Sequence, residues 1–83
     1  MTILRGDFVR PNNPSVGLPR GSVWRVVCAD GPLKLEPENN LARHVHRSVT
    51  VGCRFPVRDF DKVVLCRGEW VDTQTASASL RYP

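Results

Sequence analysis

No stretch of this sequence approaches the ~18 consecutive apolar residues that cross a bilayer. The opening residues Met1, Thr2, Ile3, Leu4 and Arg5 also lack the apolar run and small-residue cleavage site of a secretory leader. A cytoplasmic protein without membrane contact is expected. Cysteine is sparse: Cys28, Cys53 and Cys66 are odd in number, widely spaced and never two to four residues apart. That pattern argues against a disulfide-stapled secreted domain and against a thiolate zinc site. The three thiols therefore read as small buried hydrophobes in a reducing compartment.

Catalytic signatures are missing too. There is no Gly-x-Ser-x-Gly elbow to expose a nucleophilic serine and no glycine-rich loop with a following Lys-Ser/Thr to hold phosphates. Ser15, Ser22 and Ser48 lie near turns or on a small polar face, and Asp59 is placed to cap a short turn rather than to work with Asp61. His44 and His46 share one face of an extended chain, but two imidazoles fall short of the three or four ligands that zinc needs. The expectation is a protein that is not an enzyme, with no cofactor, no metal and no small-molecule substrate.

Arginine is what the chain has in excess. Ten Arg and two Lys stand against eight acidic residues, for a formal charge of +4. The guanidinium is a planar fork that clamps carboxylate or phosphate and stacks on rings, so the excess favours anionic partners. Eighty-three residues make one domain with a modest core. Seven prolines and six glycines oppose long helices and fit short strands joined by turns.

Strands are expected over 3–10, with Gly6-Asp7 bending the first of them, and over 23–29, where Trp24, Val26 and Cys28 alternate with Val23, Arg25 and Val27. The loop between them carries Pro11, Pro14, Gly17, Pro19 and Gly21, with Leu18 folding back over one end of the core. Asp30-Gly31 reads as a tight hairpin turn into a third strand over 33–36. At period two, Val45, Val49, Val51 and Cys53 share a face, which predicts a strand beginning near Ser48. Val57, Phe60 and Val63 are three apart, as in one 3₁₀ turn before a last strand over 63–66. Residues 1–66 thus form the domain, and 67–83 a C-terminal edge strand or arm, with Trp70 packing on the domain and Leu80 and Tyr82 anchoring the polar 73–79 segment.

This order of elements resembles the SH3-like barrel superfamily, which implies an all-β, partly open barrel of about five short strands with one 3₁₀ turn and a C-terminal extension. The opening resembles the KOW motif of ribosomal and transcription-elongation proteins at Gly6, Asp7 and Val9, then Gly21 and Val23. Gly6, Asp7, Val9 and Arg10 are also similar to the Gly-Asp-x-Val-Arg pattern of type II dihydrofolate reductases, tetramers built around one central active-site pore. Those enzymes carry a later Val-Gln-Ile-Tyr-Pro-Val segment. Here Pro56 and Val57 match it, while Cys53, Arg54 and Phe55 replace the Gln, Ile and Tyr that hold folate and nicotinamide. A reductase-like enzyme is therefore a remote alternative. Such barrels host unrelated functions, so fold carries over and function does not.

The leading expectation is a small non-enzymatic adaptor or accessory module that binds an anionic protein surface through a basic face and an exposed strand edge. The partner-binding candidates are Arg20, Arg25, Arg43, His44, His46, Arg47, Arg54 and Trp70. The alternative is an RNA- or DNA-binding KOW-like module, favoured by arginine but short of aromatic side chains for base stacking. A homodimer is expected as well, because a small core with an uncovered strand edge gains from a second copy.

Overall fold

A computed structural model of the chain describes residues 3–49 and 52–73. Five antiparallel strands form one unclosed sheet: β1 (Phe8–Pro11), β2 (Trp24–Cys28), β3 (Lys34–Pro37), β4 (Phe60–Cys66) and β5 (Glu69–Asp72), in the order β3-β2-β1-β4-β5. The mostly β, partly open architecture is the expected one. Two 3₁₀ turns accompany it, Pro14–Val16 and Val57–Asp59, together with one helix, α1 (Asn40–Val49).

Strand register decides which side chains form the core. Residues paired across an antiparallel ladder point to the same side of the sheet. Val9 pairs with Trp24, Val26 with Leu35 and Pro11 with Phe60, so these residues line one face. Val9, Trp24, Val26, Leu35 and Phe60 are buried there, and Leu18, Leu33, Ala42 and Phe55 close over them. Leu18 is the lid expected of it. Trp24 is fully buried, and its indole N–H donates to Ser22 Oγ at 2.8 Å while that hydroxyl donates to Pro19 O at 2.6 Å. A backbone bridge, Leu33 N to Phe55 O at 2.6 Å and Phe55 N to Leu33 O at 3.0 Å, ties the connector after α1 to the start of β3.

The expected strand starting near Ser48 is instead the end of α1. Valine at 45, 49 and 51 favours strand by propensity. The competing pattern wins because Ala42, Val45 and His46 fall at i, i+3 and i+4, the spacing that buries one helical stripe. Ala42 is fully buried, and the His46 ring lies 6.2 Å from that of Trp24. Asn39 supplies the N-cap: its Oδ1 accepts from the Ala42 amide at 3.0 Å. Arg47 sits in the last turn, where positive charge suits the helix dipole.

Other boundaries shift for local reasons. The first strand begins at Phe8 rather than residue 3, because Asp7 closes a turn by accepting from the Leu4 amide at 2.7 Å while its own amide bonds Leu4 O. The Asp30-Gly31 turn also differs from expectation. Asp30 does not adopt positive φ, so the β2–β3 connection is a longer turn with a bulge between Val26 and Cys28. The tight hairpin is Arg67-Gly68, at φ 52° and 81°, which joins β4 to β5 with both central residues left-handed. β4 itself starts at Phe60, not Val63. The cysteines are not a buried set: Cys53 and Cys66 are exposed and Cys28 half-buried. The expected arm, from residue 74 onward with Leu80 and Tyr82, lies outside the described residues. No described helix is long and apolar enough to cross a membrane.

Candidate functional site

The loop between β1 and β2 walls a groove of about 730 Å³, lined by Arg10, Pro11, Asn12, Asn13, Pro14, Leu18, Arg20 and Gly21. Side-chain amides hold its first half against the 57–61 segment. Asn12 Nδ2 donates to Asp61 Oδ1 at 2.9 Å, and Asn13 Nδ2 to Asp59 Oδ1 at 3.2 Å. Asn13 Oδ1 caps the Pro14–Val16 turn through the Ser15 amide at 3.0 Å, and Gly17 ends that turn at φ 78°. The second half is held to the helix, where Asn39 Nδ2 donates to Gly21 O at 2.9 Å. A loop tied down at both ends presents its groove with little ordering left to do on binding.

Arg10 and Arg20 are the charged side chains of the groove's described lining, while Asp59, Asp61 and Asp72 sit behind it, bonded to Asn13, Asn12 and Arg10. No carboxylate belongs to its described lining. Arg10 is bonded to Asp72 Oδ1 at 2.7 Å, but exposed Arg20 has no ion-pair partner among the described residues. The helix continues the basic surface. Gly21 lies close enough to the first turn of α1 that an added Cβ would meet Leu41 Cδ2 at 3.8 Å. Leu41 is 42% exposed at this junction. Two residues on, Arg43 donates to Asn40 Oδ1 at 3.0 Å and to Glu38 O at 2.7 Å, so its fork serves the helix start as well as the surface. His44 and Arg47 follow at helical spacing, both exposed. Chemically, this arrangement offers positive charge and N–H donors beside an apolar ledge of proline and leucine.

Of the expected binding residues, Arg43, His44 and Arg47 lie exposed along α1, while Arg20 lies on the 12–21 loop, which meets the helix start through Gly21. His46 is separated from His44 because two residues along a helix turn about 200°, and it faces Trp24 instead. The shared face expected for the two histidines belonged to the strand that did not form. Arg54 is exposed on the connector preceding Phe55. Arg25 and Trp70 lie on the opposite, outer face of the sheet: Arg25 pairs with Glu36 in register and by ion pair, and the Trp70 ring packs 4.9 Å from Phe8. The aromatic rings at that surface and the arginines of loop and helix are consequently on different sides of the sheet.

Sequence reasoning missed Leu41. Its only signal was position, directly after the Asn39-Asn40 pair that starts the helix. Comparison of this chain with protein-family models, with curated proteins and with solved structures found no match.

Proposed function

We propose that this chain is a small non-enzymatic adaptor that holds an extended acidic segment of a protein partner in the groove beside the 12–21 loop. The observation that carries the reading is the groove lining, which joins Arg10 and Arg20, the latter outside any ion pair among the described residues, to Pro11, Pro14 and Leu18 with no carboxylate in the described lining. Carboxylates of the segment meet Arg20 and, along the helix, Arg43 and Arg47. An apolar side chain of the segment rests on Leu41 and the loop prolines, where Gly21 meets the helix start. Bidentate guanidinium–carboxylate bonds give such a contact direction as well as charge.

The exposed strand edge is a weaker part of the original expectation for this ligand. β5 is an edge strand, but it carries Glu69 and Asp72, which repel an acidic chain laid alongside. The groove is therefore preferred to the edge. RNA or DNA is the competing ligand. It is disfavoured by the separation of the surface rings Phe8 and Trp70 from the helix and loop arginines, since single-strand binding combines stacking with phosphate contacts.

The test is fluorescence anisotropy with a labelled decapeptide of alternating Asp and Leu, beside a single-stranded oligonucleotide of equal length. The expected peptide Kd is in the tens of micromolar at about 50 mM salt, weakening several-fold at about 300 mM. Arg20→Glu should weaken it by about tenfold or more. Oligonucleotide binding about tenfold tighter than peptide would replace this reading with the nucleic-acid one. Binding of neither probe at ~100 μM would remove the groove as a site for anionic chains.

A further inference from the structure

Of the two arginines lining the groove, one is already engaged. Arg10 donates to Asp72 Oδ1 at 2.7 Å, although the two residues are 62 apart in sequence. Their strands do not pair with each other: β4 lies between β1 and β5, so the Arg10 side chain reaches across a strand to its partner. Asp61 is nearer by register, set directly opposite Arg10 on β4. Its Oδ1 accepts from Asn12 Nδ2 at 2.9 Å instead, and it forms no described ion pair with Arg10. Among the described residues, Asp72 is the carboxylate that engages this arginine.

The other described ion pairs are of a different kind. Arg25 and Glu36 face each other in register on adjacent strands, and Lys62 lies 3.3 Å from Asp7; none of these four residues lines the groove. Arg10 and Asp72 join a groove residue to the last residue of β5. This pair is also open to exchange. Its side chains are 30% and 41% exposed, a setting in which solvent screens an ion pair and its net contribution is small. A carboxylate arriving in the groove offers Arg10 the same acceptor chemistry as Asp72, so the two compete for one guanidinium fork.

We infer that Asp72 is a built-in competitor at the groove, occupying Arg10 until a ligand carboxylate displaces it. The inference rests on the acidic-segment reading of the groove and adds its regulation. A first ligand carboxylate is served by Arg20, which is outside any described ion pair; a second reaches Arg10 only by releasing Asp72. That exchange removes the side-chain tie between β1 and β5. Occupancy of the groove is then felt on a strand outside its described lining.

The labelled decapeptide of alternating Asp and Leu, titrated at about 50 mM salt, tests it. Asp72→Asn should bind about two- to fivefold tighter than wild type, the range that loss of an exposed ion-pair competitor allows. Glu69→Gln removes the same charge from the other end of β5, outside any described ion pair, and should bind within about 1.5-fold of wild type. In an Arg10→Gln background, Asp72→Asn should gain nothing. NMR supplies a second readout: on saturation with unlabelled peptide, the side-chain carboxyl carbon of Asp72 should shift in wild type and stay in place in Arg10→Gln. An Asp72→Asn protein that binds no tighter than Glu69→Gln would overturn the inference and leave the groove reading standing. So would a peptide that shifts the signals of Leu18 and Arg20 but not those of Asp72. Binding by neither wild type nor Asp72→Asn at ~100 μM removes the groove reading itself, and the inference with it.

Discussion

Asn39 joins the helix to the sheet through Val23: its Oδ1 accepts from the Val23 amide at 3.1 Å and from the Ala42 amide at 3.0 Å. The same side chain donates from Nδ2 to Gly21 O at 2.9 Å. One amide group thus caps α1, satisfies the backbone leading into β2 and fixes the lip of the groove. No hydrophobic residue can do all three, and Asp can do only the accepting half.

Asn39→Ala should destabilise the fold by about 2–4 kcal/mol, combining a lost N-cap with an unsatisfied amide at Val23. For a chain of this size that lowers the melting temperature by roughly 10–25 °C, readable by circular dichroism. Asn39→Asp, which keeps the acceptor, should fall between Ala and wild type. Equal losses for both variants would assign the effect to the Gly21 bond.

Ser22 and Trp24 form a buried pair whose energies should not add. Ser22→Ala removes the acceptor of the indole N–H and should cost about 1–3 kcal/mol. Trp24→Phe removes the donor together with apolar volume. In urea unfolding the double variant should be less destabilised than the sum of the singles by about 1 kcal/mol. Additivity would mean that the 2.8 Å bond contributes nothing measurable beyond packing.

Arg67 holds φ 52° in the β4–β5 hairpin, a conformation that a Cβ disfavours and that Gly, lacking one, and Asn adopt most readily. Arg67→Asn creates the Asn-Gly pair preferred at such turns and should stabilise the protein by about 0.5–1 kcal/mol. Gly68→Ala, at φ 81°, should act in the opposite direction by about 1 kcal/mol. A melting temperature unmoved by either change would show that β5 is not part of the cooperative unit.

Helix arginines should contribute to ligand binding more through charge than through individual contacts. Replacing Arg43 and Arg47 with Ala should weaken the acidic peptide by about three- to tenfold and flatten its salt dependence. Arg43 also bonds Glu38 O and Asn40 Oδ1, so this variant should lose about 0.5–1 kcal/mol of stability where Arg47→Ala alone loses almost none. Affinity unchanged within about twofold would confine the site to Arg10 and Arg20.

How far the sequence determined this protein differs from one element to the next. Alternation around Trp24 and Val26, breakers from Pro11 to Gly21, and the three-residue spacing of Val57 and Phe60 encode β2, the long loop and the second 3₁₀ turn. Those signals are local: each depends on a few neighbouring residues and the backbone conformations they permit. The segment from 40 to 49 is a different case, because its valines satisfy period two and its apolar stripe satisfies a helix equally well. The choice rests on contacts with Trp24, Gly21 and Val23, which are distant in the chain. The binding surface has the same origin. A run of Arg and His at 43–47 announces charge, but only helical geometry turns His46 inward and aligns Arg43 with Arg47. Only strand register carries Arg25 and Trp70 to the far side of the sheet, because side-chain facing in a strand depends on its pairing partner. Composition specified that the protein would be basic and mostly β; tertiary packing decided which arginines share a face.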